Sequence, residues 1–192
     1  SQSWSHRNDI LSKVDTFIDL TESQIWQNLR IREMETRSTA SAVQGSRFIA
    51  LPDNFLQHRK LTYTSGSEQQ PLVYKTPESI QVLSGSGRPK FYTVTSELEF
   101  SQPFDGAYTL ENQHYAKLTP LSSSNLTNAV ITEYPEIYLW GCLWHMAAWT
   151  RDVEAAQQYQ AVFFNTISQV NKRSKSARYG SAPVGRTEAA TP

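Results

Sequence analysis

The chain has 192 residues, 39% hydrophobic and 19% charged, with 18 basic and 18 acidic side chains and no net charge. That is long enough for one domain with a sizeable core, or one domain plus an arm. The single cysteine excludes an intrachain disulfide framework and a cysteine-based zinc site, and neutrality is far from the basic balance of a dedicated nucleic-acid binder.

No secretory apolar segment opens the chain, and no apolar run reaches the ~20 residues a membrane helix needs. The expectation is a soluble protein without a secretory signal. In residues 7–19, Leu11, Val14 and Ile18 recur at spacings of three and four, which predicts an amphipathic helix. Thr21-Glu22-Ser23-Gln24 has capping-box form and predicts a second helix over 22–37, with Ile25, Leu29 and Met34 on its apolar side and a Glu33–Arg37 pair on its polar side. From residue 42 the texture changes to short alternating runs. Strands are expected at 42–51, 59–64 and 72–75, with a hairpin tip at 65–70. Thr76-Pro77-Glu78 predicts a short helix over 77–83. Residues 91–94, 97–100 and 108–115 read as an antiparallel meander, its last two strands joined through Pro103-Phe104-Asp105-Gly106.

The most apolar stretch comes late. From Ile137 to Trp149 only His145 is polar, so the helix expected over 134–149 is apolar on every side and needs cover from several directions, from this chain or from other subunits. Asp152 caps a further helix over 152–172, with Val153, Ala156, Phe163, Ile167 and Val170 as its stripe. Large hydrophobics then thin out. The segment from Asn171 onward carries Lys172, Arg173, Lys175, Arg178 and Arg186 against Glu188 alone, so this end is net positive and the rest net negative. The reading is α+β: N- and C-terminal helices forming a helical bundle within a domain of residues 1–173, an inserted antiparallel β-meander domain at 42–118, and an extended arm at 174–192.

Candidate chemistry is sparse. Glu97 and Glu99 share a strand face, but alternation with Leu98 and Phe100 assigns that face to solvent. His6, His58, His114 and His145 fall on separate elements without metal-ligand spacing. His145 and Cys142, inside the apolar helix, read as core or interface residues. Gly85-Ser86-Gly87-Arg88-Pro89-Lys90 lacks the Gly-Lys-Ser/Thr ending of a phosphate loop. The residues predict no enzyme, no metal and no cofactor. Two competing readings are a nucleic-acid binder using Lys172, Arg173, Lys175 and Arg178, and a wall hydrolase using Glu97 with Glu99.

Several strings, in order, carry a resemblance. They are Arg30-Ile-Arg-Glu-Met-Glu35, Leu51-Pro-Asp-Asn-Phe-Leu56, Pro71-Leu-Val-Tyr74 with Thr76-Pro-Glu78, and Gly87-Arg-Pro-Lys-Phe-Tyr92. Asp105-Gly-Ala-Tyr-Thr-Leu110, Tyr115-Ala-Lys-Leu118, Thr127-Asn128 and Tyr134-Pro-Glu-Ile-Tyr-Leu139 continue the series. From about Leu11 to Pro183 the chain resembles the head-to-tail adaptor proteins of tailed bacteriophages. The resemblance implies a structural virion protein of the neck, assembled in the host cytoplasm. It also implies a dodecameric ring docked on the portal, a channel passing double-stranded DNA without specific binding, a platform for tail or nozzle proteins, and no membrane. Trp140, Trp144 and Trp149 of the apolar helix, and Arg173, Lys175, Arg178 and Tyr179 of the basic end, are the residues expected to meet the portal or a neighbouring subunit.

Overall fold

The elements run α1 (Asn8–Leu11), α2 (Val14–Asn28), a 3-10 turn (Arg32–Met34), β1 (Glu35–Ala42), β2 (Phe48–Ala50), β3 (Phe55–Ser65), β4 (Glu68–Pro71), β5 (Val73–Tyr74), β6 (Phe91–Val94), β7 (Glu97–Phe100), β8 (Tyr108–Ala116), α3 (Ala129–Glu133), α4 (Pro135–Trp149) and α5 (Val153–Tyr179). The structure is a computed structural model and describes residues 8–66 and 68–179. It is α+β, with five helices and two four-stranded sheets among the described residues. The chain divides into a helical unit, residues 1–33 with 118–192, and a β unit, residues 34–117.

In the helical unit α4 packs against both α2 and α5. Phe17, Ile25, Leu29, Val130, Ile137, Phe163, Ile167 and Val170 are buried there, each fully buried large side chain contributing ~1.5–3 kcal/mol. The break foreseen at Thr21 does not occur: α2 runs through it. Thr21 Oγ1 donates to the Phe17 carbonyl at 2.8 Å, a bond made inside a continuing helix rather than a cap that opens one. The helix ends instead at Asn28. Asn171 of α5 closes it, donating through Nδ2 to Asn28 O and accepting the Arg30 N–H, both at 2.8 Å. Arg30 Nη1 also donates to Trp26 O at 2.7 Å, satisfying a terminal carbonyl.

Residues expected to continue that helix form β1. Arg37 pairs there with Glu111 of β8 across the sheet, at 3.5 Å, and not with Glu33. The short helix expected at 77–83 is a single turn: Ser79 and Ile80 N–H both reach the Thr76 carbonyl, and the chain then leaves helical geometry. One turn without a buried face does not repay its nucleation.

Sheet A has the order β1-β8-β3-β4, all antiparallel; sheet B has the order β2-β7-β6-β5, with β5 and β6 parallel. The predicted meander therefore breaks between β7 and β8, which lie in different sheets. Phe104 causes the departure: it is 1% exposed, and its backbone N–H bonds Ser46 O while its carbonyl accepts from Gly45 N, which plugs the connection into the core. Ala42, Leu61, Tyr63, Leu72, Tyr92, Leu98, Phe100 and Leu110 complete that core from both sheets. The hairpin tip lies where the turn residues placed it, with Gly66 at a φ of 58° between β3 and β4.

Candidate assembly surface

Pro135 at the first helical position and Glu136 in the first turn start α4, as the sequence signals require. At Gly141 it comes nearest to α2. Gly141 lies so near Thr21 that a Cβ there would overlap Thr21 Cγ2, come within 2.9 Å of Thr21 Oγ1 and reach 3.1 Å from Phe163 Cε2 of α5. One turn earlier, Tyr138 donates its hydroxyl to the buried Glu22 of α2 at 2.9 Å and accepts from Asn128 Nδ2 at 2.8 Å. Glu22 Oε1 also takes the Leu121 N–H at 2.8 Å, and Asn128 Oδ1 caps α3 through Val130 and Ile131 N–H. A buried carboxylate thus holds α2, α4 and the loop before α3 together. Burial raises the Tyr138 hydroxyl above the usual tyrosine range; the Asn128 bond opposes this and Glu22 reinforces it.

The turn from α4 to α5 is tight. Thr150 Oγ1 returns to Ala147 O at 3.0 Å, Arg151 takes a left-handed φ of 62°, and Asp152 Oδ1 accepts the Ala155 N–H at 3.1 Å. Across the hairpin Trp140 meets Tyr159 with centroids 5.9 Å apart, and Trp144 meets Phe163 and Phe164 at 5.7 Å each. Trp149 points elsewhere, toward Phe17 of α2 at 6.4 Å, and is 43% exposed.

Cover from this one chain is incomplete. Within α4 only Ile137, Tyr138, Gly141 and Ala147 are buried. Leu139 is 53% exposed, and Leu143 and Met146, which follow at spacings of four and three, are half-buried. These residues form an apolar stripe beside the exposed Trp149, with Val153 and Val162 exposed on α5.

Residues 174–179, expected as part of an extended arm, continue α5 as helix. Lys, Arg, Ser and Ala tolerate helix well, and cations favour its C-terminal end. Arg173 and Lys175 are therefore exposed helical residues. Arg173 borders a cleft of about 240 Å³ with Arg32 and Tyr134. Burial, then Glu33 and Glu133, raise the Tyr134 hydroxyl, while Arg173 and Arg32 pull it down. Arg178 and Tyr179 sit at the end of α5 with side chains outside the described residues, as are residues 180–192.

The structure brings Trp140 and Trp144 together through α5 and sets Trp149 and the basic residues apart from them. Sequence reasoning missed Glu22 as a buried anchor, because its place in an apparent capping box assigned it to a solvent-exposed first turn. It also missed that Arg32 and Arg173 line one cleft, a juxtaposition made only by the fold.

The other candidates for chemistry are separate. Glu97 is exposed, whereas Glu99 is half-buried and ion-paired with Arg47. His114 is fully buried and stacked on Phe55 at 5.5 Å. His145 stacks on Trp144 at 4.4 Å, and burial lowers its pKa. The Cys142 thiol is pushed up by burial, partly offset by the Thr21 hydroxyl 3.7 Å away. No group of three or more metal-capable side chains occurs among the described residues. No helix there is long and apolar enough to cross a membrane.

No curated protein matches the chain. The sequence profile of the SU10 adaptor protein family matches residues 2–187, nearly the whole length. The chain belongs to this family, as a structural head-to-tail adaptor protein of a bacteriophage virion that associates with portal and tail components.

Proposed function

We propose that the chain is the subunit of a homododecameric ring that docks on the portal, extends the DNA channel and presents its far side to tail or nozzle proteins. The observation that supports this most is the state of α4: an apolar helix packed on two sides by its own chain and left with Leu139, Leu143, Met146 and Trp149 partly or largely open. A neighbouring subunit laid on that stripe would add ~1.5–3 kcal/mol for each large side chain it fully buries. In this reading the N- and C-terminal helices work as one bundle that builds the ring, with Trp140 and Trp144 stiffening the hairpin behind the contact.

The basic end then serves the portal. Exposed Lys172, Arg173 and Lys175 on α5, followed in sequence by Arg178, Tyr179 and the stretch to Pro192, offer charge to an acidic partner, with Tyr179 as an apolar anchor. Exposed pairs are individually weak, so attachment is built from several contacts repeated around the ring. Double-stranded DNA passes the net negative body without being gripped. Deleting residues 174–192, which removes Lys175, Arg178 and Tyr179, tests the portal assignment: the truncated chain should stay folded and elute with the portal at reduced affinity. Undiminished portal binding would remove this segment from the contact.

A further inference from the structure

Strand β3 has a partner along its whole length on one side but only at its end on the other. β8 pairs with it from Phe55 to Thr64, whereas β4 pairs only with Thr62–Ser65. At Leu72, whose N–H donates to Leu61 O at 2.9 Å, the chain leaves that lane to become β5 of sheet B. From residue 55 to residue 60 no described strand fills the lane, a gap somewhat shorter than the ~20 Å of a regular strand because β3 shifts register twice there. A cleft of about 500 Å³ lies there, with Leu56, His58 and Arg59 on one wall and Tyr74, Tyr92 and Val94 on the other. Tyr74 belongs to β5, the outermost strand of sheet B, so the second wall also ends in an open edge. The surroundings are apolar: Val73 is 53% exposed, Tyr74 47% and Phe91 38%.

The same unit displays a segment suited to that lane. Residues 80–83 read Ile-Gln-Val-Leu, a β-prone run assigned to no strand, with Val82 58% and Leu83 48% exposed. Leu83 N–H donates to Ser101 O at 2.7 Å, which fixes the segment on the surface. Glu78, also exposed, precedes it, and Arg59 of the cleft, which pairs with Glu35 at 3.8 Å, is a cation that a second carboxylate can share. One chain therefore carries an unfilled strand position and, elsewhere, an exposed strand-like run outside both sheets, the two unlike patches that a head-to-tail contact needs.

Resting on the ring reading above, we infer that residues 80–83 of one copy occupy the cleft of the next, adding a strand along β3 where β4 stops and setting Glu78 near Arg59. Backbone hydrogen bonds hold the inserted strand, and the exposed Tyr74 and half-buried Val94 select its apolar side chains. Because donor and acceptor patches differ, each copy uses both, and the contact propagates from copy to copy.

The test uses the full chain with Tyr74→Cys and Val82→Cys together, oxidised mildly, beside each single variant and the wild type with its half-buried Cys142. The double variant should give a ladder of species larger than two chains on a non-reducing gel, which neither single variant gives. Val82→Asp should weaken self-association at least tenfold without lowering the melting temperature. A wild type that assembles, with no ladder from the double variant and undiminished assembly of Val82→Asp, overturns this contact and leaves the ring to the helices. A wild type that stays monomeric at every concentration, again without a ladder, overturns both.

Discussion

Gly141 of α4 and Thr21 of α2 meet so closely that any side chain on the glycine would overlap the threonine methyl, with Phe163 of α5 on the other side. Three helices converge on one missing Cβ. Thr21 cannot swing aside freely, because its hydroxyl is held by Phe17 O at 2.8 Å. Gly141→Ala should therefore destabilise the fold by ~1–3 kcal/mol despite the better helix propensity of alanine. Thr21→Ser, which keeps the hydroxyl and removes the methyl, should recover part of that loss in the double variant. Urea denaturation of the four proteins in the cycle gives the coupling, and strictly additive effects would contradict the close approach.

Glu22 is 3% exposed and accepts from both Tyr138 and Leu121. Glu22→Ala would strip a part-buried amide and a buried hydroxyl of an acceptor, at a cost of roughly 2–4 kcal/mol. Tyr138→Phe, removing one of the two donors, should cost less. Hydrogen exchange at Leu121 should speed up in the alanine variant and stay slow in the phenylalanine one.

Two histidines make stability depend on pH in a defined direction. Burial holds His145 below the usual imidazole value of 6.5. His58 is lowered as well, by burial first and by nearby His114, with the Asn112 bond opposing. In the bonding pattern around His58, Nδ1–H donates to Asn112 Oδ1 at 3.1 Å and Nε2 accepts the Tyr92 hydroxyl, which suits the neutral ring. The unfolded chain takes up these protons near pH 6.5 and the folded chain only at lower pH. Stability is therefore complete above about 6.5, falls as pH drops through the interval to the lowered values, and flattens below them. Replacing His145 by Leu, which also removes a buried Nε2 without a partner, should make that slope shallower in denaturation series at successive pH values.

Core and assembly surface separate by mutation. Phe163 is fully buried, and Phe163→Ala should cost ~3–5 kcal/mol. Leu139 is 53% exposed, so Leu139→Asp should change stability by only about ±0.5 kcal/mol while preventing assembly. Melting temperature and sedimentation, measured on the same samples, distinguish the two. A Leu139→Asp protein that assembled normally would place the contact on another face.

Much of α4 and α5 was legible because proline, a capping aspartate and apolar spacing are local signals that here agree with the tertiary fold. The end of α5 was not. Scarcity of apolar residues suggested an arm from residue 174, yet helix continues past Arg173 through Lys175 to Tyr179, a polar stretch that needs no buried face once a long helix already exists. β1 was hidden because Glu35, Arg37, Ser38 and Ser41 give it no alternation; the strand exists by pairing with β8, some seventy residues away in sequence. That same distance hid the departure of β8 from β7 and the opening beside β3. Of the expected contact residues, the tryptophans were legible by composition alone, whereas the division between inward Trp144 and outward Trp149 depends on where α2 and α5 lie.

The ring is tested most directly by the mass of the full-length chain in solution, alone and after mixing with the portal, by native mass spectrometry or light scattering. The account predicts a species of twelve copies, formed alone or on the portal and lost in the Leu139→Asp variant. A chain that remains monomeric in both conditions, or that binds the portal as single scattered copies, would contradict it.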